Sequence, residues 1–166
     1  MVLDFDLDFL NDLAALLDAQ LDRLNVEAKV SDDPDAYGVL DRAEYVVGLG
    51  FAVCQQYLTA TCSSAHVKKT LAFDRGPIHR TGQPIAAIVN AAANYWKHSA
   101  EWSEPLSALA KRTTDLLRDV GGAAPGEYVT SNVLHELLAP LPERFRRLVP
   151  FLVQWRDSIL DTGDAG

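Results

Sequence analysis

The chain has 166 residues, 48% of them hydrophobic, and a formal net charge of −8. That length falls in the single-domain range, in which roughly 70% of the unfolded surface is buried, so one domain over residues 1–166 is expected. The acidity excludes nucleic-acid binding by bulk charge, and any phosphate contact has to be local.

Acid stands at Asp4, Asp6 and Asp8, where a secretory leader would carry Lys or Arg, so a cytoplasmic protein is expected. The longest uncharged run, Thr81 to Trp96, is broken by Gly82, Gln83, Pro84, Asn90 and Asn94, which argues against a membrane span. Cys54 and Cys62 lie eight apart in a helical pattern. At 1.5 Å rise per residue that is about 12 Å, too far for a disulfide within the helix, and a reducing compartment follows. No Cys-x-x-Cys or His-x-x-x-His spacing occurs, so no zinc or other metal is expected, and the absence of phosphate-loop and dinucleotide-loop spacings leaves no cofactor expected.

The first helix is marked by Leu3, Leu7, Leu10, Ala14, Leu17, Leu21 and Leu24 at three- and four-residue steps, and ends at Ser31-Asp32-Asp33-Pro34-Asp35. Asp4, Asp6 and Asp8 in its first turn suit the positive end of the helix dipole. Asp4, Asp8 and Asp12 are expected on its outward face. Residues 1–41 hold eleven acids and two bases, a local net of −9. The second helix is predicted from about Ala36 to Ala60, burying Tyr37, Leu40, Val47, Phe51, Cys54 and Leu58. Gly48 and Gly50 each cost up to about 1 kcal/mol against alanine in a helix interior, which points to a close helix neighbour or a kink.

A loop is predicted over Phe73 to Gly82, and Pro84 then opens a third helix from about Gln83 to Trp102. Ser103 is placed as the cap of a fourth helix ending at Gly121-Gly122, with core residues Leu106, Leu109, Leu116, Leu117 and Val120. A fifth runs from about Ser131 to Ala139. A sixth begins near Pro142 and buries Phe145, Leu148, Phe151, Leu152, Trp155 and Ile159, with Pro150 expected to kink or split it. The best strand candidate is Gly126 to Thr130, and residues 163–166 are expected to fray. The fold class is all-α: an up-and-down bundle of about five or six helices.

The third helix carries the most information. Projected at about 100° per residue, Ile85, Ile88, Val89, Ala92, Tyr95, Trp96 and Trp102 cover one side. Asn90, Asn94, Lys97 and Glu101 form one stripe on the other, with His98 at its edge and alanines around it. Asparagine costs about 0.6 kcal/mol against alanine within a helix, so two of them a turn apart mark a polar seam, not an ordinary wet face. Such a seam either hydrogen-bonds a neighbouring helix or faces a ligand. His98 can exchange a proton near neutral pH, and Lys97 can hold a phosphate as a point charge.

At Asn94-Tyr95-Trp96-Lys97-His98 the sequence resembles the HEPN domains, whose helix motif reads Arg-Asn-x-x-Lys/Ala-His. The resemblance implies a bundle of four or more helices, frequent dimerisation, and a role in a defence or toxin–antitoxin system acting on RNA or nucleotide. Its active form would be a metal-independent ribonuclease with His98 as general acid/base, Lys97 or Arg75 stabilising phosphate charge and Asn94 orienting the scissile group. Ala93 stands where the family's arginine would, and no arginine lies four to six residues before His98. A degenerate or non-cleaving member is therefore implied, unless Arg75 or Arg80 reaches back from the loop.

Arg75-Gly76-Pro77-Ile78-His79-Arg80 packs two cations and an imidazole into a turn and is a candidate anion-binding segment; Asn90 and Glu101 of the stripe are further candidate ligand-binding residues. Glu143-Arg144-Phe145-Arg146-Arg147 reads as a solvated helix face. A different class of function is equally open: a non-enzymatic, dimeric interaction protein whose acidic first helix binds a basic partner.

Overall fold

The structure, a computed structural model, describes residues 4–121 and 128–161. Among these, seven α-helices succeed one another: α1 (Phe5–Val30), α2 (Val39–Ser64), α3 (Lys69–Ala72), α4 (Ile85–His98), α5 (Ala108–Gly121), α6 (Val129–Leu138) and α7 (Phe145–Leu160). A 3-10 turn, Ser99–Glu101, follows α4. The one beyond the six laid out from the sequence is α3, a single turn of four residues inside the segment between α2 and α4. The described residues contain no strand, only an isolated antiparallel bridge between Ile78 and Pro84. No described helix is long and apolar enough to cross a membrane.

Helix α1 follows its sequence pattern: Leu10, Ala14, Leu21 and Leu24 are buried, and Asp4 caps the first turn by accepting the Leu7 N–H at 2.9 Å. Helix α2 sits at the centre, packed against α1, α4, α6 and α7. Its two glycines are the points of closest approach. A Cβ at Gly48 would overlap the Trp96 indole of α4, and one at Gly50 would overlap the Phe145 ring of α7. Close neighbours, not a kink, account for both. One cluster of buried side chains draws on all seven helices, with Phe51, Ile88, Leu134, Phe145 and Trp155 fully enclosed.

Several helix ends differ from expectation. Helix α2 begins at Val39, after a turn closed by left-handed Gly38 (φ 65°), and this leaves Tyr37 72% exposed instead of buried. Helix α5 starts at Ala108, because Ser107, not Ser103, supplies the cap: its Oγ accepts the Ala110 N–H at 3.1 Å. That start turns Leu109 out to solvent at 69% exposure and places Ala110 and Thr113 inside. Helix α4 stops at His98, and Trp102 folds back to meet Tyr95 edge-on with ring centroids 5.7 Å apart. Helix α7 runs through Pro150 undivided. Of the strand proposed over Gly126 to Thr130, Val129 and Thr130 instead open α6, while residues 126–127, like 163–166, lie outside the described residues.

Two helices take their N-terminal caps from elsewhere. Neither Arg144 before α7 nor Tyr128 before α6 has a side-chain cap bond. The carboxylate of Asp18, fully buried on α1, accepts the N–H of Phe145 at 2.7 Å and of Arg146 at 3.3 Å, and Arg146 Nε donates to it at 3.2 Å. Glu44 on α2 does the same for α6, accepting from Thr130 N and Oγ1 at 2.7 Å each, Ser131 N at 2.9 Å and Ser131 Oγ at 2.6 Å. Each carboxylate meets orphan amides at the positive end of a helix, satisfying groups that would otherwise be unpaired. The basic run at residues 144–147 is thus no mere solvated face, since Arg144 also pairs with Asp22 at 2.5 Å.

Candidate functional site

The polar stripe of α4 lies against α2. Alanines at 86, 91, 92 and 93 are buried, so little side-chain bulk holds the two helices apart. Gln55 of α2 fills the gap. Its Nε2 donates to Asn90 Oδ1 at 2.8 Å and to Asn94 Oδ1 at 2.9 Å, while Lys97 Nζ donates to its Oε1 at 2.6 Å. Lys97 can only donate, so Gln55 must turn its oxygen there and its NH2 toward the asparagines. The asparagine oxygens in turn face Gln55. Neither asparagine NH2 has a partner among the described residues.

Asn90 and Asn94 are half-buried, and they also line a cleft of about 320 Å³ between α3, α4 and α5, whose walls do not include Gln55. Lys69, Asp74, Arg112 and Thr113 share its walls, and Phe73 and Leu116 contribute apolar surface. Lys69 and Arg112 are exposed and form no ion pair among the described residues. Gln55 was not foreseen. The adjacent Gln55-Gln56 inside the apolar run Phe51 to Leu58 was the available signal.

The remaining sequence candidates are dispersed. Asn94 and Lys97 are joined through Gln55, but His98 stands apart, half-exposed, with Nδ1 3.5 Å from Glu101 Oε2 in the 3-10 turn. Neither Lys97, His98 nor Glu101 lines the cleft. His79 is 8% exposed, with Nδ1 2.9 Å from Thr81 Oγ1 and Nε2 3.2 Å from the Glu136 carbonyl. A carbonyl only accepts, so Nε2 carries the proton and Nδ1 receives the Thr81 hydroxyl. Burial, assisted by the Arg80 charge, pushes the His79 pKa down and keeps the ring neutral. Arg80 pairs with the Glu136 carboxylate, so His79 and Arg80 together fasten the loop to α6. Arg75, half-buried, donates its backbone N–H to Ala72 O at 3.1 Å.

A second feature lies on α1. Phe5, Phe9, Leu13 and Leu16, at steps of four, four and three, are 63%, 66%, 41% and 68% exposed. Asp8 and Asp12 flank this stripe on one edge and Asp6 on the other, all exposed and without an ion pair among the described residues. Beside it a groove of about 220 Å³ runs between α1 and α2, lined by Asp6, Phe9, Leu13, Val53, Gln56 and Tyr57. Exposed Tyr45 and Leu49 extend apolar surface along α2. Comparison with protein families, with curated proteins and with solved structures finds no match to this chain.

Proposed function

We propose that the protein is a binding module whose α1–α2 face receives a basic amphipathic helix from a partner. The observation that carries this reading is the apolar stripe from Phe5 to Leu16 on a helix whose exposed charges are mainly acidic. An ordinary solvated face carries scattered apolar side chains; four large ones in register beside a groove mark an interaction surface. A helical partner would insert anchors at i, i+3/i+4 and i+7 and set Lys or Arg against Asp6, Asp8 and Asp12. A second copy of α1 fits less well, since it would bring acid against acid.

The test uses a labelled helical peptide with a leucine stripe and lysine flanks, and its glutamate-flanked counterpart, in fluorescence anisotropy with the whole protein. The lysine peptide should bind, weaken as salt rises, and fail to bind Phe9→Ser or Leu16→Ser. Binding that ignores salt, or that survives both substitutions, refutes the reading.

The second reading is the HEPN-like one: a module of a defence or toxin–antitoxin system acting on RNA or nucleotide, as a homodimer. The exposure of His98 at the end of α4 favours it, because a proton-transfer group has to reach substrate. His98 would act as general acid/base, Lys97 or Arg75 would stabilise phosphate charge, and Asn94 would orient the scissile group. Incubation with total RNA beside His98→Ala decides it: equal cleavage by both, or none by either, removes the catalytic version. The buried, unbonded thiols of Cys54 and Cys62 fit a reducing compartment such as the cytoplasm under either reading.

A further inference from the structure

We infer that the cleft between α3, α4 and α5 binds a small phosphate ester, through donors whose orientation Lys97 sets from outside the cleft. Lys97 fixes the Gln55 oxygen, Gln55 fixes the oxygens of Asn90 and Asn94, and each asparagine is left with an NH2 turned away from Gln55. Both asparagines also border the cleft, whose walls exclude Gln55 and where Lys69 and Arg112 supply two cations and Thr70 and Thr113 two hydroxyls. Amides that donate, a guanidinium and an ammonium around one space match the acceptor-only oxygens of a phosphate. The carboxylate of Asp74, the one acid on the wall, accepts instead, and takes a hydroxyl of the ester's alcohol part. Two alanines at 90 and 94 would pack against α2 and favour the helix.

The experiment is a titration of the whole protein with glycerol phosphate, inorganic phosphate and glycerol, followed through the side-chain NH2 resonances of Asn90 and Asn94. Glycerol phosphate should shift both resonances saturably, with a Kd on the order of 1 mM or below, and bind several-fold more tightly than inorganic phosphate. Glycerol should do nothing. Arg112→Gln should weaken binding at least tenfold, a loss of about 1.4 kcal/mol. In Gln55→Glu the carboxylate still receives Lys97 but must be met by the asparagine NH2 groups, which turns their oxygens into the cleft. That variant should keep the helical circular dichroism spectrum and lose the response, even at ionic strengths where a remote charge is screened. Equal affinity for inorganic phosphate would overturn the ester assignment. An absent or non-saturable response, or one unchanged in Arg112→Gln and Gln55→Glu, would overturn the site.

Discussion

The carboxylate of Asp18 accepts the backbone N–H of Phe145 at 2.7 Å, joining the middle of the first helix to the first residue of the last across 127 positions of sequence. The same carboxylate receives Arg146 twice, through its amide and its guanidinium. A buried charge is tolerated here because three donors surround it at a helix N-terminus. Asp18→Ala strands two amides and leaves α7 uncapped, and is expected to cost about 3 kcal/mol. Asp18→Asn, which keeps one acceptor oxygen, should cost less. Urea midpoints of the two variants check this; an Ala variant as stable as the native protein would contradict the role.

Gly48 and Gly50 make a graded pair. The ring over Gly50 is Phe145, wholly buried and set edge-on to Phe51 with centroids 5.8 Å apart, so it has nowhere to move. The ring over Gly48 is Trp96, only partly buried and set edge-on against exposed Tyr45, so it is less confined than Phe145. Gly50→Ala should therefore destabilise by about 1–3 kcal/mol, or more, and Gly48→Ala by less. Thermal unfolding of both variants measures the order, and the reverse order would be inconsistent with the packing described.

Much of this arrangement could be anticipated from spacing alone. The leucine ladder of α1, the glycines that admit a neighbour to α2, and the asparagine seam of α4 are local patterns, written in residues three and four apart. What escaped is non-local. Gln55 meets Asn94 across 39 positions and Glu44 meets Ser131 across 87, and no local pattern announces such pairings. Helix starts failed for a related reason. Ser103 and Ser107 are equally good caps in isolation, and tertiary packing chose the second, turning Leu109 outward.

His79 makes stability depend on pH in a defined direction. Its folded pKa lies below the ordinary 6.5, so near and just below that pH the unfolded chain binds more protons than the folded one. Stability from this residue is complete above the unfolded value and is lost as pH falls. His79→Gln, whose amide can still donate to the Glu136 carbonyl, should flatten that dependence. The difference in Tm between native and variant between about pH 7.5 and 5.5 isolates the effect from other histidines. Parallel profiles would show that His79 does not carry it.

Burial, together with the charge of Asp18, pushes the Cys54 thiol up to about 12, and burial raises Cys62 as well. Only a thiolate is a good nucleophile. Native protein should therefore resist alkylation by iodoacetamide at pH 8, and unfolded protein should take up two equivalents, read by mass spectrometry. Rapid labelling of either cysteine before unfolding would show an opening that the packing does not contain.

The binding face of α1 is tested most directly by amide hydrogen exchange on the whole protein, with and without the lysine-flanked helical peptide. Protection should rise over residues 5–16 and along the facing turns of α2 around Leu49 and Val53, while α5 and α6 stay unchanged. Protection confined to other helices, or none at peptide concentrations that saturate binding, would contradict the placement of the partner on this face.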